Sequence, residues 1–111
     1  MMGRGVPADE VDLINPHGTS TPLGDQREAE AIWTVFGDRA AASARSVAIS
    51  GTKSMTGHMM GAAGAFEAFV CARVVQTGCI PPTINYRHPD PELTLDYVPN
   101  QARQTDSRVA L

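Results

Sequence analysis

The strongest constraint on the fold is the stretch of residues 53–67, in which three titratable side chains stand among small, hydroxyl and apolar residues. These three are Lys53, His58 and Glu67. The apolar run continues past Glu67, and a helix that is apolar on all sides belongs in a protein core. The run is too short to cross a bilayer. The pattern predicts a buried helix near residues 61–77, ended by Gly78 and preceded by His58.

Glu67 needs an explanation, because a carboxylate among apolar residues is costly unless it is paired, protonated or bound to a cation. Lys53 is the nearest cation in the sequence, so an ion pair between the two is predicted. Taken alone, Lys53 and His58 are better read as a solvated loop residue and an ordinary histidine beside a helix cap, and it is Glu67 that favours a functional site. Gly61 and Gly64 lower helix propensity, which suggests that another backbone lies close to the helix on that side.

Composition and charge narrow the class of protein. The 111 residues suffice for one small domain, and a hydrophobic fraction of 42% permits a folded core. A net charge of −3 without a basic run argues against nucleic-acid binding, and no signal peptide or membrane span is visible. Cys71 and Cys79 have neither zinc-ligand spacing nor the pattern of a disulfide framework. Because free thiols suit a reducing compartment, we expect a cytoplasmic protein that binds neither nucleic acid nor a membrane.

Short apolar runs that alternate with helical patterns predict an α/β architecture. The predicted strands and extended segments are residues 11–14, 47–50, 83–86, 95–98 and 108–111. A first helix is predicted over residues 26–36, with Asp25 as its N-cap and Glu28 completing a capping box. Residues 1–10 and 38–46 are read as polar connections. Since the first and last strands look cut off, the sheet is expected to be incomplete at both ends.

Two histidine-bearing loops each follow a predicted strand and precede a predicted helix. His17 follows residues 11–14, and His58 follows residues 47–50. Because the ends of parallel strands meet at one edge of a sheet, the two imidazoles are predicted to converge, with Lys53 close to His58. Two neutral imidazoles at such a place could donate hydrogen bonds to one developing oxyanion.

Several motifs carry a resemblance to a known family. Residues 15–25, NPHGTSTPLGD, resemble the N-x-H-G-T-S-T-P-x-G-D signature of β-ketoacyl-acyl-carrier-protein synthases. Residues 53–58, KSMTGH, resemble the family's K-S-x-x-G-H motif, and GAAG at residues 61–64 continues the match. PPTIN at residues 81–85 and LDYVPN at residues 95–100 resemble later family segments. The resemblance spans nearly the whole chain in the correct order, and the serine of the first motif favours the fatty-acid elongation type.

The resemblance implies the C-terminal half of a thiolase-like αβαβα sandwich, incomplete at both ends, with residues 1–111 as one partial β-ketoacyl synthase C-terminal domain. The family condenses an acyl group held on a cysteine with a malonyl group on acyl carrier protein, releasing carbon dioxide in fatty acid biosynthesis. By this resemblance, His17 and His58 assist the decarboxylation and stabilise the resulting enolate. Lys53 corresponds to an active-site lysine that supports the histidines electrostatically.

The same resemblance implies binding roles. Thr19 and Thr21 would bind the pantetheine arm of the substrate, although hydroxyls in such a loop also serve as turn and cap groups. Asn15 and Glu67 would help to hold a structural monovalent cation, and no other cofactor is expected. The implied partners are acyl carrier protein carrying acyl or malonyl groups, an N-terminal half of the enzyme, and a second subunit in a homodimer.

The nucleophilic cysteine is the family feature that this sequence does not show. In the family it stands on a strand-to-helix turn among small residues, and no segment here resembles that turn. Cys71 is predicted in the middle of a helix and Cys79 in a loop, so neither is expected to replace it. We therefore expect part of a condensing enzyme that is inactive by itself. The alternatives are an inactive partner-binding subunit and a purely structural α/β domain.

Overall fold

The protein is described by a computed structural model over residues 5–41 and 46–111, so parts of the two predicted polar connections, residues 1–4 and 42–45, lie outside the described residues. The helices are α1 (Pro22–Phe36), α2 (Lys53–Thr56) and α3 (Ala63–Thr77). The strands are β1 (Leu13–Ile14), β2 (Ala48–Ile49), β3 (Cys79–Ile80) and β4 (Arg103–Gln104). Short 3-10 turns lie at Ala8–Glu10, Gly37–Arg39 and Met60–Ala62.

Strand β1 lies at the centre of the fold. It pairs in parallel with β2, with Leu13 opposite Ala48 and Ile14 opposite Ile49. On the other side of β1, Leu13 pairs in parallel with Ala110, and the amide of Leu111 donates to the carbonyl of Leu13 at 2.9 Å. The predicted strands at residues 11–14 and 47–50 are therefore confirmed as shorter elements, and the extended segment at residues 108–111 joins the same sheet.

Asp12 fastens this C-terminal segment to β1. Its carboxylate accepts hydrogen bonds from the backbone amides of Arg108 at 2.7 Å and Val109 at 3.1 Å. Its own amide donates to the carbonyl of Val109 at 2.9 Å. The two side-chain bonds join residues 96 and 97 positions apart, so they close almost the whole chain on itself.

The two faces of the sheet pack against different helices, because successive residues of a strand point to opposite faces. One buried cluster includes residues of α1 and consists of Val11, Ala29, Ile32, Ala40, Val47, Ile49 and Leu95. The other includes a residue of α3 and consists of Leu13, Ala48, Val74, Ile80 and Val98. The alternation along β1 and β2 thus produces helix, sheet and helix layers, and the predicted α/β class is confirmed.

Helix α1 begins at Pro22, four residues before the predicted start at residue 26. Thr21 precedes the helix, and proline suits the first helical position because its φ is preset and its missing N–H would have no partner there. The predicted capping box is wrong, since the carboxylates of Asp25 and Glu28 bind the preceding loop. Gly37 follows the helix as its C-cap.

Helix α3 is less buried than its apolar sequence predicted. Ala63 and Val74 are its two buried residues, whereas Phe69 is 61% exposed. The close backbone predicted beside Gly61 and Gly64 is not found, because no described atom lies within 4 Å of a Cβ built at either position. Neither α3 nor any other helix in the described ranges is long and apolar enough to cross a membrane.

The chain after α3 departs from the predicted strands. Gly78 ends α3 with a left-handed backbone (φ +70°), as predicted, and Cys79 then lies in β3 rather than in a loop. Residues 83–86 and 95–98 form isolated bridges instead of regular strands. An extended conformation is interrupted there by positive φ angles, 61° at Asn85 and 46° at Val98.

Asp96 joins this irregular segment to β4. The residue is 6% exposed, and its carboxylate accepts hydrogen bonds from the guanidinium of Arg103 at 2.5 and 2.7 Å and from the hydroxyl of Ser46 at 2.6 Å. Burial by itself would raise the pKa of Asp96, but the bonds from Arg103 and Ser46 outweigh it and lower the pKa below its usual value.

Replacing Asp96 with asparagine is expected to lower the free energy of unfolding at pH 7 by about 2 kcal/mol, because charge-assisted hydrogen bonds are lost. Since the folded pKa lies below the unfolded one, this contribution is complete above the unfolded pKa of about 4 and disappears as pH falls through the folded pKa. Urea unfolding at pH 7 and near pH 3 measures both effects. Asp106→Asn removes an exposed ion pair with Arg108 and is the matched control. It should leave the free energy of unfolding unchanged at both pH values. An equal loss at both pH values would contradict the prediction.

Candidate active site

The two histidine loops converge at one edge of the sheet. His17 follows β1, and His58 follows α2, which comes directly after β2. Their ring centroids are 5.7 Å apart, and the ring planes stand at 86° to each other. The predicted convergence of the imidazoles is therefore confirmed, and the parallel pairing of β1 with β2 is its cause.

The tautomer of His58 is fixed by the turn that follows it. The backbone amide of Met60 donates a hydrogen bond to Nδ1 of His58 at 3.1 Å. Because Nδ1 is then an acceptor, the single proton of the neutral ring lies on Nε2. Met60 has a left-handed backbone (φ 51°), a conformation that a bulky residue adopts rarely. The local backbone thus prepares His58 as a hydrogen-bond donor through Nε2.

The loop of His17 is held by two carboxylates of α1. Glu28 accepts hydrogen bonds from the amides of His17 at 2.6 Å and Gly18 at 2.8 Å, one on each carboxylate oxygen. Asp25 accepts the amide of Ser20 at 3.2 Å. Sequence reasoning missed this role, because it read the spacing of the two acidic residues as a helix cap. The only sign of this role in the sequence is the presence of two acidic residues, Asp25 and Glu28, shortly after the loop.

Lys53 and Glu67 form an ion pair that joins α2 to α3. Their side chains are 6% and 17% exposed, so both charges are largely removed from water. The pairing predicted from the isolation of Glu67 on an apolar helix is confirmed. It spans the turn that contains His58, and it therefore fixes both ends of that turn.

A cleft of about 820 Å³ opens beside these residues, between α1 and the chain after β3. Lys53, His58 and Thr19 all line it. Thr21 is not part of this lining; it directly precedes α1, where its carbonyl accepts the amide of Asp25 at 2.9 Å. The structure therefore brings Thr19, but not Thr21, into the lining of the cleft that Lys53 and His58 share.

The two side chains predicted to hold a cation line a second, shallower cavity of about 710 Å³. Glu67 is already paired with an ammonium, and the Oδ1 of Asn15 accepts the hydroxyl of Thr52 at 3.1 Å. The Nδ2 of Asn15 is buried without a partner among the described residues, and it is a donor. Cations bind oxygen atoms, so this donor set does not by itself fit one. Among the described residues, no group of three acidic, histidine or cysteine side chains could hold a metal ion. The cation stays a prediction of the resemblance.

Neither cysteine resembles an activated nucleophile. Cys71 lies within α3, where burial, and then the charge of Glu67, raise the pKa of its thiol. Its Sγ lies 3.5 Å from the carbonyl of Leu111. Cys79 is exposed on β3. Since the thiolate is the reactive form, Cys71 is poorly suited to covalent catalysis near neutral pH.

Comparison with known proteins agrees with these observations. The family described as beta-ketoacyl synthase, C-terminal domain, matches residues 1–87. Nodulation protein E of Rhizobium sp. (strain N33) is 50% identical over 107 residues, which cover 96% of this chain and 26% of that protein. The 3-oxoacyl-[acyl-carrier-protein] synthase 2 of Coxiella burnetii is 50% identical over 90% of this chain and 23% of its own length.

A solved structure also resembles the chain. AntDE:AntF, a type II PKS acyl-carrier protein in complex with its ketosynthase bound to the hexaketide, matches with a TM-score of 0.87 and 37% identity. The match covers 95% of this chain and 25% of that chain. The chain thus spans about a quarter of the length of the relatives that it matches.

Removing Glu67 is expected to destabilise the protein strongly. Glu67→Ala leaves the ammonium of Lys53 buried without a partner, which should lower the free energy of unfolding by about 3–5 kcal/mol. The double variant Lys53→Met/Glu67→Ala should recover part of this loss, because the uncompensated charge is gone. Glu30→Ala, which removes an exposed pair with Arg27, is the control and should cost less than about 1 kcal/mol. Chemical denaturation measures all three, and equal losses for Glu67→Ala and Glu30→Ala would refute the argument.

The two thiols are expected to differ in reactivity. Cys71 should react with iodoacetamide several-fold more slowly than Cys79 at pH 7.5, because its pKa is raised and its sulfur is partly buried. The rate for Cys71 should climb at alkaline pH, because its thiolate forms only above the usual pKa range of a cysteine. Mass spectrometry of the variants Cys71→Ser and Cys79→Ser, each with one thiol left, gives the separate rates. A faster reaction at Cys71 would reopen the question of a nucleophile in this chain.

Proposed function

The chain belongs to the β-ketoacyl synthase family, as part of its C-terminal domain, and from that we propose that it supplies the histidine and lysine side of a condensing active site. The fold is that of thiolase-like ketosynthases. The proposed reaction joins an acyl thioester to malonyl-acyl carrier protein in fatty acid biosynthesis. One observation carries the proposal: two imidazoles from separate strand ends lie 5.7 Å apart at one edge of the sheet.

The histidines would act on the malonyl group. Decarboxylation breaks the bond between the carboxylate carbon and the adjacent CH₂, releases carbon dioxide and leaves the electron pair in a thioester enolate. His58 would donate Nε2–H to the enolate oxygen, since its Nδ1 is occupied by the amide of Met60. His17, whose ring stands nearly perpendicular to that of His58, would supply a second donor. Each preorganised donor of this kind contributes about 10²–10³ in kcat.

Condensation follows when the enolate carbon attacks the carbonyl of an acyl group held on a cysteine. A carbon–carbon bond forms, the acyl carbon–sulfur bond breaks, and the cysteine leaves as a thiolate. Cys71 and Cys79 are poorly placed for this role, so we propose that the nucleophile belongs to another part of a longer enzyme. The relatives are about four times as long as this chain, which leaves room for such a part.

Lys53 would act through position and charge rather than by proton transfer. Its ammonium is paired with Glu67, so it keeps the buried carboxylate neutralised while it fixes α2 against α3. Thr19, which lines the cleft with His58, would bind the pantetheine arm, and Thr21 would bind it once substrate spans the loop. Bound substrate would exclude water and strengthen the hydrogen bonds of both imidazoles.

The proposed partners follow from the same assignment. Acyl carrier protein would deliver the acyl and malonyl groups, and the solved ketosynthase that resembles this chain is in complex with such a protein. Phe69 is exposed on α3 and would be covered by the N-terminal half of the enzyme. The intact enzyme would form a homodimer. Free thiols at Cys71 and Cys79 suit the reducing cytoplasm.

The test is reconstitution of activity from two parts. Residues 1–111 are purified alone and also co-expressed with the remaining, cysteine-bearing part of a related synthase, and release of carbon dioxide and formation of 3-oxoacyl product are measured. The chain alone should form no product, because it lacks an activated thiolate. The mixture should be active, and His17→Ala or His58→Ala should each lower kcat about 10²–10³-fold. Glu30→Ala, on the exposed face of α1 and outside the lining of the cleft, is the control and should leave kcat unchanged.

The alternatives give different results in the same assay. An inactive partner-binding subunit would form the complex without activity, whatever residue stands at positions 17 and 58. Condensation by the purified chain alone would overturn the proposal and return attention to its two cysteines.

A further inference from the structure

Helix α2 cannot hold its own position. It has four residues, Lys53–Thr56, and isolated helices far longer than this are marginal in water. Thr52, which precedes it, makes no side-chain cap and instead donates its hydroxyl to Asn15. Yet α2 begins with Lys53 and ends two residues before His58. The accuracy of this part of the site must therefore come from contacts outside the helix.

Three hydrogen bonds connect the end of β2 and α2 to residues 81–84. The hydroxyl of Ser50 donates to the carbonyl of Pro81 at 2.6 Å. The amide of Gly51 donates to Oγ1 of Thr83 at 2.9 Å, and the amide of Ile84 donates to the Oγ of Ser54 at 2.9 Å. The bonds run in both directions along residues 50–54, so the turn can neither slide nor rotate against residues 81–84 without breaking one of them.

Residues 81–84 are themselves anchored to the chain beyond. The amide of Thr83 donates to the carbonyl of Val98 at 3.0 Å, and its carbonyl accepts the amide of Asn100 at 2.9 Å. The side chain of Asn100 exchanges two further bonds with the backbone of Tyr86, at 2.7 and 3.0 Å. Thr83 is thus fixed by its own backbone while its hydroxyl oxygen reaches across to Gly51.

We propose that Thr83 is a positioning residue for Lys53 and His58, with Ser54 as its counterpart on the other side of the contact. This rests on the proposed function, because it assigns Thr83 to the same active site. Thr83 lines the same cleft as Lys53 and His58, and its hydroxyl oxygen is already engaged by the amide of Gly51. Its oxygen satisfies the half-buried amide of Gly51 two residues before Lys53, and loss of that acceptor would leave the amide unpaired and free the turn to move. A displacement of about 1 Å in an active site can lower activity about 10²-fold.

The experiment compares Thr83→Val with Thr83→Ser in the full 111-residue chain. Valine keeps the branched shape and removes the acceptor, whereas serine keeps the oxygen. Thr34→Val is the matched control, because the exposed hydroxyl of Thr34 also bonds to backbone, at the carbonyl of Glu30, but far from the turn. The first readout is NMR of the His58 ring nitrogens and the Met60 amide, which report the hydrogen bond that fixes the tautomer. The second is kcat and KM for malonyl-acyl carrier protein in the reconstituted enzyme.

Thr83→Val should shift the Met60 amide and the His58 nitrogens and lower kcat about 10- to 100-fold, with KM within about twofold. Thr83→Ser should restore both readouts, and Thr34→Val should leave both unchanged. If Thr83→Val does not fold, Ser54→Ala tests the same contact from its other side. Wild-type His58 and Met60 signals in Thr83→Val, or equal shifts in Thr34→Val, would overturn the inference. The NMR result tests the positioning role of Thr83 by itself, without any enzyme activity. Failure to reconstitute an active enzyme would count against the proposed function alone.

Discussion

The ion pair between Lys53 and Glu67 is the contact on which the arrangement of the site depends. A carboxylate on α3 and an ammonium at the start of α2 are both removed from water, and each would be costly there alone. Their pairing fixes the separation of two helices whose connection contains His58. The turn between them contains the hydrogen bond from the amide of Met60 to Nδ1 of His58. The buried ion pair thus holds the two helices on either side of a turn whose own backbone sets the tautomer of His58.

Both histidine loops follow one principle, since each is held by groups outside itself. The loop of His17 is bound at its amides by carboxylates that project backwards from α1. The turn before His58 is bound by hydroxyl groups that connect it to residues 81–84. A bond of 3.1 Å from Thr52 to Asn15 then connects the two systems. The imidazoles can remain exposed for substrate because the backbone beneath them is fixed by bonds that no substrate has to make.

The parts of the structure that follow from local chemistry could be predicted from the sequence. Two apolar runs before two histidines implied parallel strands, and parallel strands bring their ends together, so the meeting of His17 and His58 was predictable. A lone Glu67 on an apolar helix implied its partner.

The start of α1 was not predictable in this way, because Asp25 and Glu28 satisfy both a capping pattern and a loop-binding role. Residues 95–98 read as a strand, yet the backbone at Val98 takes a positive φ that no local pattern encodes. The burial of α3 was overestimated because an apolar composition shows only that burial would be favourable. Whether a residue is buried depends on the elements that pack against it.

The position of β1 between β2 and residues 108–111 has a consequence for how the protein folds. Its pairing on one side closes a loop of about 35 residues, and the bonds from Asp12 on the other side close a loop of more than 90. The entropy of closing such loops is lost before the contacts that compensate for it are made, and chains dominated by distant contacts fold slowly for that reason. The central strand therefore gains its second neighbour only when the last residues of this chain have been synthesised. Until then the growing polypeptide exposes an open sheet edge, and chaperone binding during translation would matter most at that stage.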